Sequence, residues 1–189
     1  VTLIDNTTTV GGKLKVKVNE SLATQNITIV FENGNEYTGV ITSEGYAVIQ
    51  LDNLIEGGDY NVTLIYSGDD NYDIGEGIGT VHIDKLNATP SLKLNWTYVD
   101  GEFIVILPDD ATGNVNITVG SVLYEAIVNG NQTTVPLENL LKSNVYNNVK
   151  ISYSGDGRYN ACENITVFEV YDYPVDIVLV DNVTVVNST

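Results

Sequence analysis

The run Tyr66-Ser67-Gly68-Asp69 recurs as Tyr153-Ser154-Gly155-Asp156, 87 residues further along a chain of 189. A period of that length is a domain repeat, so the chain must fold as a tandem of small modules and not around one large core. The flanks repeat too: Leu51-Asp52-Asn53-Leu54 as Leu137-Glu138-Asn139-Leu140, Tyr60 as Tyr146, Tyr72 as Tyr159, and Thr80-Val81 as Thr166-Val167. These offsets place one module at 1–86 and a second at 87–174. Ile177 to Asn182 (Ile-Val-Leu-Val-Asp-Asn) echoes Val1 to Asn6 (Val-Thr-Leu-Ile-Asp-Asn), so 175–189 is expected to be the first strand of a third module or an orphan edge strand.

Period-two alternation runs through both modules and predicts half-buried strands. Leu14, Val16 and Val18 alternate with Lys15 and Lys17, and Ile27, Ile29 and Phe31 with Thr28 and Val30. Further strands are expected at Glu36–Thr42, Tyr46–Leu51, Asp59–Tyr66 and Gly77–Asp84. In the second module they fall at Leu92–Trp96, Glu102–Leu107, Asn114–Val119, Val122–Val128, Thr133–Leu137, Tyr146–Tyr153 and Glu163–Tyr171. Asn33-Gly34 and Gly57-Gly58 supply turns between them. No segment has helical periodicity. About seven short strands per module predicts an all-β chain of two sandwiches. The connection Asp84 to Pro90 is short and stiff, because Pro90 holds Thr89 extended.

Eight Lys plus Arg stand against 25 Asp plus Glu, a net charge of −17. Such a surface repels phosphate backbones and anionic lipid, which excludes nucleic acid as a partner. No apolar run approaches the ~20 residues of a membrane span, so direct membrane insertion is not expected. The N-terminus shows no basic-then-apolar leader, and the sequence reads as an excised piece of a longer one. A single cysteine, Cys162, allows no internal disulfide and is expected to be a buried, inert thiol.

Candidate sites are few. Asp69, Asp70 and Asp73 crowd into one turn, a carboxylate density that suits calcium. The second copy replaces Asp70 and Asn71 by Gly157 and Arg158, which favours a solvated turn with no cofactor. Eleven Asn-x-Ser/Thr triplets, at Asn6, Asn19, Asn26, Asn61, Asn87, Asn95, Asn116, Asn131, Asn164, Asn182 and Asn187, are potential N-glycosylation sites and point to an extracellular chain. Alternation alone explains some, since Asn-apolar-Thr is what a strand with one wet face produces. His82 is the only histidine and lies between Val81 and Ile83 on the wet face; no second imidazole joins it in a metal site. No nucleophile, base and orienting group come together in sequence, so no catalytic residue is nominated and the chain reads as non-enzymatic. Trp96 and Tyr98 share one strand face and form a candidate carbohydrate platform, although a tryptophan in a sandwich is more at home in the core.

The Leu54, Gly57 or Gly58, Tyr60, Val62 spacing resembles the tyrosine corner of Ig-like sandwiches, with Tyr146 as its second copy and Asn148 as an inserted bulge residue. Gly58-Asp59-Tyr60-Asn61-Val62-Thr63, followed by Tyr66-Ser67-Gly68-Asp69-Asp70-Asn71-Tyr72, is similar to the Ig-like repeat of adhesin-like surface proteins of methanogenic archaea, which is related to bacterial Ig-like surface repeats. The likeness covers both modules and is strongest over their last three strands. It implies tandem Ig-like β-sandwich domains on the outside of a cell, in a stalk or adhesive role. The partners it implies are other repeats of the same protein and a cell-surface protein or polysaccharide. Some domains of this kind carry a Lys-to-Asn isopeptide cross-link, but here Lys13, Lys15 and Lys17 should face water.

Overall fold

The computed structural model describes residues 1–20, 23–52, 55–137 and 141–178. It is all-β, two sandwich domains in tandem. The first comprises β1 (Thr2–Leu3), β2 (Thr7–Thr9), β3 (Lys13–Lys17), β4 (Asn26–Phe31), β5 (Glu36–Val40), β6 (Tyr46–Gln50), β7 (Gly58–Tyr66) and β8 (Gly75–Asp84). The second repeats the series as β9 (Ser91–Leu92), β10 (Trp96–Tyr98), β11 (Glu102–Ile106), β12 (Asn114–Val119), β13 (Val122–Ile127), β14 (Gln132–Pro136), β15 (Asn144–Tyr153) and β16 (Cys162–Tyr171). Each domain packs a three-stranded sheet, β1-β3-β6 or β9-β11-β14, on a five-stranded one, β2-β8-β7-β4-β5 or β10-β16-β15-β12-β13.

Alternation decides which side chains face inward. In β3 Leu14 and Val16 are buried while Lys13, Lys15 and Lys17 are exposed, as expected, with the Lys15 ammonium over the Tyr46 ring. In β4 Ile27, Ile29 and Phe31 point inward. Two separate cores result. One gathers Leu14, Ile29, Ile49, Leu64 and Val81, the other Phe103, Val105, Ile117, Ile151 and Phe168. Leu86, in the connection, packs against both.

The structure corrects three expectations. The strand expected at Leu92–Trp96 is two: β9 pairs with β11 in one sheet, and β10 pairs in parallel with β16 in the other. The first module does the same, with β1 on β3 and β2 parallel to β8. The chain crosses between sheets there because its first strand closes both edges of the sandwich. Second, Thr80-Val81 corresponds to Val167-Phe168 and not to Thr166-Val167. Tyr60 lies opposite Val81, whereas Tyr146 lies opposite Phe168. The offset changes from 86 to 87 inside β15, where the register shifts between Tyr146 and Val149 and Asn148 takes φ 65°. Asn148 is thus the bulge residue that the sequence suggested, and Asn tolerates that left-handed backbone better than a branched residue does. Third, Cys162 is half-buried at the start of β16, and desolvation raises its pKa. Beyond β16, Val175, Ile177 and Val178 are exposed and belong to no strand; the remainder of the expected third-module strand, from Leu179, lies outside the described residues.

Candidate functional site

The corner tyrosines each fix a loop, and that of Tyr60 meets the neighbouring module. Tyr60 donates its hydroxyl to the Glu56 carbonyl at 3.0 Å, and Tyr146 donates to the Lys142 carbonyl at 2.8 Å. The Lys142 N–H also donates to the Tyr146 hydroxyl at 3.1 Å. Phe31 packs edge-on against Tyr60, with centroids 5.5 Å apart, which fixes the ring. Leu54 of the motif lies outside the described residues.

The repeated Ser-Gly-Asp turn is built around its aspartate. Gly68 and Gly155 have φ of 77° and 71°, where a side chain would be strained. Asp156 accepts the N–H groups of Arg158 (2.7 Å), Tyr159 (2.8 Å) and Thr112 (2.8 Å), and the Tyr153 hydroxyl (3.0 Å). Burial pushes the Asp156 pKa up, but the three backbone donors outweigh it and hold the group at about 2. Asp69 accepts the matching donors from Asn71, Tyr72 and Thr24. The Tyr66 hydroxyl beside it, with the N–H groups of Thr24 and Asn71, holds that carboxyl well below the usual range. Among the described residues the buried Tyr66 hydroxyl makes no hydrogen bond of good geometry; burial first, then its approach to the Asp69 carboxylate, pushes its pKa up to about 12. Of the three carboxylates considered for calcium, Asp69 is thus committed to organising its own turn, while Asp70 and Asp73 are exposed. Among the described residues no three His, Cys, Asp or Glu side chains form a group that could hold a metal.

The second turn has a further role that the sequence did not announce. Its outer edge grips the connection and the corner loop of the first module. Leu86 N–H donates to the Arg158 carbonyl (2.8 Å), Asn160 N–H to the Leu86 carbonyl (2.9 Å), and Gly57 N–H to the Gly157 carbonyl (2.8 Å). The Lys85 ammonium reaches the Asp156 carbonyl at 2.5 Å, and the Asn160 amide donates to the Asn87 side chain at 3.0 Å. A Cβ on Gly157 would lie 2.3 Å from Glu56 Cδ, so glycine allows the close approach. From the second turn, Arg158 also pairs with Asp110 at 2.8 Å, and Tyr159 donates to Asp110 at 2.6 Å. The signal for all this was present: Gly157 and Arg158 are where the second copy departs from Asp70-Asn71.

At the far end of the second module stands a cluster of aromatic side chains. Trp96 is 41% exposed, Tyr98 37%, Tyr171 45% and Tyr173 57%, which overturns the expectation of a buried tryptophan. Trp96 lies on parallel edge strand β10, whose side chains alternate away from the core. Trp96 meets Tyr98 edge-to-face (5.8 Å, 89°), and Tyr98 stacks on Tyr173 (5.1 Å, 16°). Trp96, Tyr98 and Tyr171, with Asp172 and Pro174, line a shallow groove of about 430 Å³. The structure thus brings together Trp96 and Tyr98, and adds Tyr171 and Tyr173, which the sequence reading did not join to them.

His82 is exposed between Asp59 (2.6 Å) and Asp84 (3.3 Å), and Asp59 first of all raises its pKa. The potential glycosylation sites Asn6, Asn19, Asn26, Asn61, Asn87, Asn95 and Asn131 are exposed, whereas Asn116 and Asn164 are half-buried. The Asn164 amide donates to the Pro90 carbonyl. Asn182 and Asn187 lie outside the described residues.

No protein-family model matches the chain, and neither does any curated protein sequence. Solved structures do. A segment of two fibronectin type-III domains from chicken tenascin superposes with a TM-score of 0.52 at 16% identity, over 87% of this chain and 95% of that one. The fold is therefore a tandem of the Ig and fibronectin type-III kind. A biofilm-associated protein (BSP domain) gives 0.34 at 19% identity over 92% of this chain. A bacterial ice-binding adhesin gives 0.34 at 16% over 88%. The chain spans 30% of the former and 61% of the latter. It resembles these surface adhesins in outline.

Proposed function

We propose that the chain is a non-enzymatic, extracellular repeat unit of a cell-surface adhesin-like protein, acting as a stalk or scaffold. The observation that carries this reading is the junction, in which three backbone hydrogen bonds and the shared Leu86 hold the second sandwich to the first. A flexible linker would leave those groups to water. A spacer that must hold a distal tip away from a surface gains from the opposite design, and the net charge of −17 keeps neighbouring stalks apart. The seven exposed Asn-x-Ser/Thr sites fit the same location. Antibody against the folded chain should label intact cells that make the protein; labelling only after permeabilisation would overturn the surface assignment.

A second reading, binding of a wall or surface polysaccharide, is favoured by the exposure of Trp96 and Tyr98 with Tyr171 and Tyr173. Their mutual angle counts against it: rings at 89° present no flat platform for a sugar face. Trp96 emission, as the only tryptophan, reads this directly. A saturable change on titrating wall oligosaccharides, abolished by Tyr98→Ala, would establish the sugar site, and an unchanged spectrum would remove it.

A further inference from the structure

The observed junction has two sides, and each side has an unused copy elsewhere in the chain. The gripping side is the turn Asp156 to Asn160, whose counterpart in the first module is Asp69 to Asp73. The two turns share their aspartate-centred hydrogen bonds and the left-handed glycine. In the second turn the carbonyls of Gly157 and Arg158 and the N–H of Asn160 hold the first module. The matching carbonyls of Asp70 and Asn71 and the N–H of Asp73 make no backbone hydrogen bond among the described residues, and all three residues are exposed. Tyr159 is buried, whereas its counterpart Tyr72 is only half-buried.

The gripped side is Glu56-Gly57 with Lys85-Leu86-Asn87. Tyr60 and Tyr146 bond to the carbonyls of Glu56 and Lys142, so Lys142-Ser143 is the counterpart of Glu56-Gly57. Strands β8 and β16 end in step, at Asp84 and Tyr171, each carbonyl taking an N–H from the residue that follows β2 or β10. Asp172-Tyr173-Pro174 is therefore the counterpart of Lys85-Leu86-Asn87. Tyr173, which stands where Leu86 packs against both cores, is largely exposed.

We propose that the turn Asp69 to Asp73 and the distal end formed by Lys142, Ser143 and Tyr173 are complementary surfaces, and that a second copy of this chain docks there head to tail. The inference rests on the scaffold reading, because it extends the same junction. Its backbone pairs follow from the observed ones: Ser143 N–H to the Asp70 carbonyl, Tyr173 N–H to the Asn71 carbonyl, and Asp73 N–H to the Tyr173 carbonyl. Charge supports the pairing. Where Glu56 lies against Gly157 in the observed junction, Lys142 would lie against Asp70, opposite charges in a strongly acidic protein. Three positions oppose it. Asp70 carries a Cβ where Gly157 allows the close approach of Glu56, so the Lys142 side chain must turn aside from it, and Asp172 stands where the Lys85 ammonium donates. Asp73 replaces Asn160, whose amide donates to Asn87, and a carboxylate cannot donate; it would also face Asp172. The contact should therefore be weak, and removing that one charge should strengthen it.

Sedimentation velocity of the full chain between about 0.01 and about 1 mM, the range of weak contacts, tests this. Asp73→Asn should raise the association constant several-fold, and Lys142→Glu should lower it about tenfold. Asp5→Asn and Lys15→Glu make the same charge changes on exposed residues partway along the first module, where the Asp5 N–H meets the Lys15 carbonyl, and serve as controls. Shifts no larger than those of the controls, or Asp73→Asn chains that stay monomeric throughout, would overturn the proposal. Monomeric chains whose two modules still tumble as one body would leave the scaffold reading standing; independent tumbling of the modules would remove the junction on which both rest.

Discussion

At the scale of single residues, structure is held by a few polar side chains whose partners are backbone groups. Removing the Tyr60 or Tyr146 hydroxyl leaves the Glu56 or Lys142 carbonyl without its donor, and Phe at either site should destabilise its module by about 1 to 2 kcal/mol. Calorimetric melting of each variant checks this; transitions matching the parent would mean the hydroxyls contribute nothing. Asp156 makes a stronger claim. Its pKa is depressed in the folded chain, about 2 against 3.8 for the free group, so its stabilisation is fully present above about pH 4 and is lost as pH falls through about 2. Asp156→Ala should cost about 1 to 3 kcal/mol at neutral pH, by stranding the N–H groups of Thr112, Arg158 and Tyr159, and should flatten the acid limb of the stability curve over that window. An unaltered acid limb would show that other carboxylates govern it. Both tyrosines and both aspartates were legible in the sequence because the repeat printed them twice. The donors that Asp156 serves were half legible: Arg158 and Tyr159 are its neighbours, but Thr112 lies 44 residues away, and no local pattern reports it.

At the scale of elements, alternation located the longer strands because one face of each is wet and the other dry. It failed at β9 and β10, each too short to show a period, and there the sheet change had to be seen. Residue type misled at Trp96: it argues for burial, while an edge strand beside a short turn gives the ring no core to enter. The connection is the element that matters most. Its length and Pro90 made stiffness readable, but the grip on Leu86 depends on Arg158 and Asn160, more than 70 residues on. Leu86→Pro removes the N–H that meets the Arg158 carbonyl and part of the side chain packed on both cores. The two modules should then keep their separate folds and tumble with distinct correlation times in backbone nitrogen relaxation, where the parent shows one. Unchanged relaxation would mean that the remaining contacts suffice without Leu86.

At the scale of the whole molecule, two modest cores are joined by a polar clasp, and the proposed scaffold role rests on that arrangement. Each core gathers its own buried side chains, and Leu86 packs against both. What the junction adds is orientation, and orientation is the property a projecting stalk requires. Residual dipolar couplings of the backbone amides measure it most directly. If the clasp holds, couplings from 1–86 and from 87–174 fit a single alignment tensor of one magnitude. Two tensors of clearly different magnitude would show that the modules move independently in solution and would contradict the account.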